Sequence, residues 1–412
     1  MSTSSGKSPV GSDGGPEPIG SSTGSVGAPI ICFAGLDWWY HNRAHSDFQL
    51  MRRAARTRTV LLVNAIGMRM PLPGRTSQPF RRIGRKLRSM LRLVRRPIPE
   101  LPGFHVFTPL LFPLYGISWA RKLNSRLVRV QVRLAAWCVG IENPVLFVTL
   151  PTAWDVVQSM KRRKLVFNRS DKASEFGEAD RDSIAALESH LLREADPVVY
   201  VSRALMEQDR SVVGARAHFL DHGVDLEHFD PARYTSEPDD LRAIPHPRIG
   251  FFGALRDHLV DFDLLERLAR ELPEAHLVLV GDSTSDMQRF AKLPNVHWLG
   301  FRPYEEIPRY GVGFDVAIMP WLDNDWIRNC NPIKLKEYLA LGLPVISTDF
   351  PEVRRYASVV RIARDPAEFV RLVRITLDDA GLGSASSRRA SVLDASWDAR
   401  TRDLLKLLDD AA

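Results

Sequence analysis

Short apolar runs alternate along the chain with segments whose apolar residues recur every three or four positions. PIICFAG (29–35) is followed by SDFQLMRRAAR (46–56) and TVLLVNAI (59–66). Strand, helix and strand in that order predict a parallel, doubly wound α/β sheet, whose strands are buried on both faces and carry apolar residues in unbroken runs. Further strands are predicted at FHVFTP (104–109), NPVLFVTL (143–150), KLVFNRS (164–170) and DPVVYVS (196–202), with a helix at 182–195. HFLDHGVDLEHF (218–229) closes this unit, and after a polar, Pro-bearing stretch the alternation restarts at RIGFFGA (248–254). LLERLARELP (264–273) and AHLVLVGD (275–282) continue it, then NVHWLG, FDVAIMPW and LPVISTD from 295, 314 and 343. The pattern predicts two Rossmann-like units at 29–229 and 248–395, a linker at 230–247, and a terminal helix within 396–412 able to cross back to the first unit.

With 412 residues, 45% of them hydrophobic and 25% charged, the chain has material for more than one core. Cys32, Cys138 and Cys330 are too few and too scattered for a disulfide framework or a zinc cluster, which predicts a reducing, cytoplasmic setting and no structural metal. Residues 101–120 lack full charges, but Pro102, Pro109, Pro113, Gly103 and Gly116 would break a spanning helix there, so the segment reads as strand plus loop. The first 28 residues hold 8 Ser, 7 Gly and 3 Pro without an apolar core behind a basic start, and are expected to form a disordered tail rather than a signal peptide.

The net charge of +7 conceals an asymmetry. Residues 30–220 hold 31 Lys and Arg against 15 Asp and Glu, whereas 221–412 hold 24 against 32. A basic half points to an anionic partner met by one face, either nucleic acid or an acidic membrane surface. Within it, PFRRIGRKLRSMLRLVRRP sets Phe80, Ile83, Leu87, Met90, Leu91 and Val94 on one face of a helix and arginines around the rest. A basic amphipathic helix over 80–96 suits an anionic membrane interface; the plainer alternative is that its apolar face packs on the sheet.

In open parallel sheets ligands bind beyond the carboxyl ends of the strands. Gly253, just after the strand IGFF, would let the backbone approach a phosphate closely, or would simply serve a turn. The segment NCNPIKLKEYLALGLPVIST (329–348) says more. Asn331 is placed to cap a helix of about eleven residues, with Pro332 in its first turn and Gly342 at its end. Lys334 stands near the positive end of that helix, where a diphosphate would bind, and Glu337, three residues on, could accept the two hydroxyls of a ribose. Otherwise the two are a surface ion pair.

HGVDLEHF (222–229), IGFFGAL (249–255), LVLVGD (277–282), NVHWLGFRPYEEIPRYGVGFDVAIMPW (295–321), NPIKLKEYLALGLPVIST (331–348) and SWDARTRDLL (396–405), in this order and spacing, resemble the nucleotide-sugar glycosyltransferases of the GT-B type. The nearest likeness is to bacterial polysaccharide-assembling members, such as the teichuronic acid and xanthan glucuronosyltransferase groups. DWWYHNRAHSDFQLMRRAA (37–55) and NRSDKASEF (168–176) share it more weakly. The resemblance implies that Lys334 holds the donor diphosphate, Glu337 the ribose, Gly253 faces phosphate, and the main chain at Arg302 contacts the nucleobase. Retaining members often carry a second glutamate eight residues before the ribose one; here that position is Asn329, which puts retention in doubt. Asp171 matches a motif acid that in inverting members is a candidate general base, the plainer reading being a loop carboxylate that caps a helix or pairs with Lys172. On the acceptor side, Asp37, Trp38, Tyr40, His41 and His45 could bind a sugar by stacking and hydrogen bonds, or belong to the core and its rim.

Asp323-Asn324-Asp325 spells a DxD triplet, which binds manganese in another glycosyltransferase fold; here no metal or other cofactor is expected, helix and lysine meeting the donor charge. The expected function is transfer of a sugar from a nucleotide diphosphate to a lipid-linked or polysaccharide acceptor at the inner face of the cell membrane. A nucleotide-sugar 2-epimerase of the same fold and a nucleic-acid-binding protein are the alternatives. The last lacks the interleaved aromatic and basic residues of nucleic-acid surfaces, so no nucleic-acid partner is expected.

Overall fold

The apolar runs become the strands of two separate sheets. A computed structural model describes residues 27–40, 44–66, 93–111, 118–173 and 181–410. The first sheet contains β1 (Ile30–Phe33), β2 (Val60–Val63), β3 (Val94–Arg95), β4 (Phe104–Phe107), β5 (Val145–Val148), β6 (Lys164–Arg169), β7 (Val198–Tyr200) and β8 (Ala217–Phe219). Their order is β3-β4-β2-β1-β5-β6-β7-β8, parallel throughout except for β3. The second sheet, β11-β10-β9-β12-β13-β14, is wholly parallel. Its strands are β9 (Arg248–Phe252), β10 (His276–Val280), β11 (Val296–Gly300), β12 (Val316–Met319), β13 (Val345–Thr348) and β14 (Val360–Ala363).

Among the described residues seven helices of eight residues or more pack on these sheets: α1 (Ser46–Ala54), α2 (Ser118–Cys138), α3 (Arg181–Glu194), α4 (Phe262–Glu271), α5 (Ile333–Ala340), α6 (Pro366–Asp379) and α7 (Trp397–Asp409). Side-chain caps set several starts, Asp261 for α4, Asp365 for α6 and Ser396 for α7 each accepting from an amide three residues on. Both faces of the first sheet are covered, one chiefly by α2 and α3, the other by α1 and α7.

The chain crosses between the units twice. Val224 pairs with Ser396, and the Val224 amide donates to the Ala395 carbonyl at 2.8 Å. Beyond that point α7 lies on the first sheet, with Trp397, Leu404 and Leu408 in the core beside Ile30 and Phe48. Arg53 pairs with Asp398 at 3.0 Å and Arg58 with Asp409 at 2.8 Å. The carboxyl ends of the two sheets lie toward each other, the Arg203 amide after β7 donating to Glu352 Oε1 after β13 at 2.8 Å.

Two readings of the sequence change here. Val94 and Arg95 pair antiparallel with Phe107 and Val106, so no helix runs to residue 96, because the edge of β4 offers these residues ladder bonds. The rest of the basic 80–96 segment and the tail through residue 26 lie outside the described residues. The second change is α2: 101–120 read as strand plus loop, as β4 at Phe104–Phe107 bears out, but no helix was read over 121–138. This helix has apolar residues on two faces with arginines between, which blurs the single-stripe periodicity by which an amphipathic helix is recognised.

Candidate functional site

Helix α5 owes its place to Tyr338, whose hydroxyl accepts from the Phe252 amide at 2.9 Å while its ring packs 4.4 Å from that of Phe252. This anchors the helix to the end of β9. Gly342, at φ 76°, ends it with the amides of Gly342 and Leu343 turned back to the carbonyls of Leu339 and Tyr338. The start differs from expectation. Pro332 is the cap residue and the helix has eight residues. The Asn331 amide group instead donates to the Val201 carbonyl at 2.8 Å and to Asp221 Oδ1 at 2.7 Å. Buried partners from the first unit outcompete the local cap, and Asn331 joins the two units rather than meeting a donor.

Gly253 and Lys334 come together. Gly253 has φ 140°, and a Cβ built there would lie 2.6 Å from Lys334 Cε and 2.8 Å from its Nζ. The Lys334 ammonium sits 4.8 Å from the ring centre of Trp321 and 5.6 Å from that of Phe251. Gly281 closes the same corner, since a Cβ there would fall 1.9 Å from the Gly253 carbonyl oxygen. Gly253→Ala should push the Lys334 ammonium aside, strain the backbone at φ 140°, and weaken nucleotide binding about tenfold or more, measured by calorimetry, with a lowered unfolding temperature beside it.

Glu337 lies one turn deeper and is buried. Burial raises its carboxyl above the usual range, Asp225 adds to that, and Lys334 opposes it. Burial also lowers Lys334, against Glu337. Such a pair, poorly solvated and carrying both signs, is poised for a polar ligand that brings its own charge and hydroxyls.

Across the cleft, Asp171 follows β6 in a clamped loop. The Arg169 guanidinium donates to the Asp171 carbonyl at 3.2 Å, pairs with Glu188, and reaches Asp209 at 3.2 Å. Glu188 Oε1 also accepts from the Ala173 amide at 2.8 Å. Among the described residues no group hydrogen-bonds the Asp171 carboxylate, so it neither caps a described helix nor pairs with Lys172. It meets solvent in the cleft yet is closely surrounded by protein, and that desolvation lifts it to about 6; Arg169 opposes the rise and Asp47 adds to it. Burial raises the thiol of Cys330, just before α5, and the Asp171 charge adds to that rise.

Other candidates fare differently. Trp38 is in the core, its ring 5.1 Å from Phe48 and 5.0 Å from Phe104, and cannot stack on a sugar; the turn after β1 folds inward to bury its apolar surface. Asp37 is buried in that turn, its carboxylate accepting from the Trp39 amide at 3.0 Å. His41 lies outside the described residues. Arg302 gives its side chain to Asp240 at 2.5 Å and the Tyr310 hydroxyl at 2.6 Å. Arg328 holds both carboxylates of the DxD triplet, Asp323 at 2.8 Å and Asp325 at 3.2 Å. Asn329 Oδ1 accepts from Gln208 at 2.7 Å and its amide donates to the Asp325 carbonyl at 2.8 Å.

Sequence reasoning missed a buried ionic cluster behind α5. Asp221, which follows β8, meets Lys336 at 2.8 Å, Arg355 at 3.0 Å and Asn331. Burial works against its charge, but these partners hold the carboxyl far below the usual range. No periodicity announces such a cluster, as Asp221 stands more than a hundred residues from its partners.

Residues 246–379 match the family described as glycosyl transferases group 1. A Bacillus subtilis protein named as a teichuronic acid biosynthesis glycosyltransferase, TuaH, is 26% identical over 253 residues. That match covers 58% of this chain, and the chain spans 63% of that relative's length. Among solved structures, sucrose-phosphate synthase from Thermosynechococcus elongatus superposes with a TM-score of 0.66 at 16% identity, over 92% of this chain and 98% of that one. Anabaena HepE in complex with UDP-glucose gives 0.66 at 14% identity, over 93% and 100%. These two likenesses carry the two-sheet architecture, GT-B.

Proposed function

We propose that this chain, which carries a group 1 glycosyltransferase domain on a GT-B fold, moves a sugar from a nucleoside diphosphate to a lipid-linked or polysaccharide acceptor at the cytoplasmic face of a membrane. The observation that carries the reading is the meeting of Gly253 and Lys334 at the start of α5. The α5 amides and the Lys334 ammonium draw the donor diphosphate to the cleft and meet the charge that grows on it as it leaves. Glu337 accepts from the ribose hydroxyls. Asp171 takes the proton from the acceptor hydroxyl as that oxygen bonds to the anomeric carbon and the bond to the diphosphate breaks. Helix and lysine supply the positive charge, so the reading calls for no metal. Asn329 offers a neutral amide where a carboxylate would orient a retained sugar, which favours direct displacement with inversion. The UDP-glucose bound by HepE and the teichuronic acid role in the name of TuaH support a nucleotide-sugar donor and a polysaccharide product.

A thermal-shift panel of UDP, GDP, TDP and CMP tests the donor. One nucleoside diphosphate should stabilise the protein selectively, and its sugar conjugate should release it only when an acceptor is supplied. Formation of an epimeric nucleotide sugar without acceptor would replace this reading by the epimerase.

A further inference from the structure

Helix α2 has two apolar faces, and only one covers a core. Val128, Val132, Ala135 and Ala136 pack against the first sheet. Trp119, Leu123, Val130, Leu134 and Trp137 are exposed, Trp119 at 59% and Trp137 at 76%. At about 100° per residue these five fall within roughly 60° of the helix circumference, a stripe about 27 Å long. Lys122, Arg126 and Arg133, exposed as well, line one edge of it. On the other side Leu110, also exposed, is tethered to Gln131 by two hydrogen bonds of 2.8 and 2.9 Å. The helix carries five cations and no acid.

We propose that this stripe docks the protein on an anionic lipid surface, with α2 lying in the plane of the headgroups. Tryptophans at both ends and a basic edge suit that boundary, where indole rings settle and phosphates meet arginine and lysine. Five cations bar the helix from crossing, and no described helix is long and apolar enough to span a bilayer. Pairing with a second copy is disfavoured by charge: an isologous contact would set two basic rows together with no acid on either helix to meet them. Helix α2 begins after the carboxyl end of β4, so its Trp119 end lies on the cleft side of the sheet. An acceptor held in the same surface would thus be presented toward Asp171, a consequence that rests on the acceptor reading above; the docking itself rests on α2 alone.

Sedimentation of the full chain with vesicles tests this. The protein should sediment with phosphatidylglycerol-containing vesicles, and much less with phosphatidylcholine alone. The variant Trp119→Ser/Leu134→Ser/Trp137→Ser and the variant Lys122→Gln/Arg126→Gln/Arg133→Gln should each partition about tenfold more weakly or worse. All six side chains are exposed, so both variants should keep wild-type nucleotide affinity, which checks that they are folded. Wild-type sedimentation of both variants would overturn the proposal, as would a concentration-dependent dimer in light scattering that the first variant abolishes. Either result, with nucleotide affinity intact, leaves the donor site standing.

Discussion

Asp171→Asn should lower turnover at least a hundredfold while leaving nucleotide affinity unchanged. In the proposed reaction Asp171 must be ionised to take the acceptor proton, and its carboxyl is lifted to about 6 by desolvation. With saturating donor and acceptor, kcat should therefore fall about tenfold per pH unit below pH 6 in the wild type, and the variant should lack this limb. The sign for stability runs the other way. A carboxyl whose folded pKa is raised costs stability above that pKa, and the cost fades as pH falls and the group protonates. At pH 7 the variant should accordingly be at least as stable as the wild type. A loss of turnover with a lower unfolding temperature would instead make Asp171 a structural residue of its loop.

Asp221→Ala should be the most destabilising single change near the site. It would leave the Lys336 ammonium, 1% exposed, with only Asn331 Oδ1 at 3.3 Å. A buried charge stripped of its partner costs about 3–5 kcal/mol, enough to lower the unfolding temperature by roughly 10 °C. Adding Lys336→Met should recover most of the loss, since the penalty belongs to the stranded charge rather than to the missing pair. Asp221 is held below its ordinary range when folded, so its stabilisation is full above its unfolded pKa of 3.8 and is lost as pH falls below that. Acid unfolding should consequently be less steep in the double variant. Equal stability of Asp221→Ala and wild type would remove the cluster as the joint between the units.

The strands were legible because parallel strands buried on both faces leave unbroken apolar runs, as IICF and VLLV do. Helix α5 was legible from punctuation, Pro332 before it and Gly342 after it, and the i,i+3 spacing of Lys334 and Glu337 put both on one side. What escaped depends on partners distant in the chain. The amide of Asn331 is taken by Asp221, 110 residues away, so a plausible local cap was wrong. Trp38 looked available for a sugar, but its fate was decided by Phe48 and Phe104. Trp321, beside the Lys334 ammonium, ended the 295–321 segment but was not singled out as a site residue. The second stripe of α2 became visible only once the first was seen to cover the sheet.

The central claim is that the start of α5 holds a nucleoside diphosphate. The direct measurement is calorimetric titration of the nucleotide that stabilises the wild type into wild type, Lys334→Ala and Glu337→Ala. Each lost charge-assisted contact should cost roughly 1.5–3 kcal/mol, about ten- to a hundredfold in affinity, with both variants folded. Wild-type affinity in both would contradict the account and place the donor elsewhere.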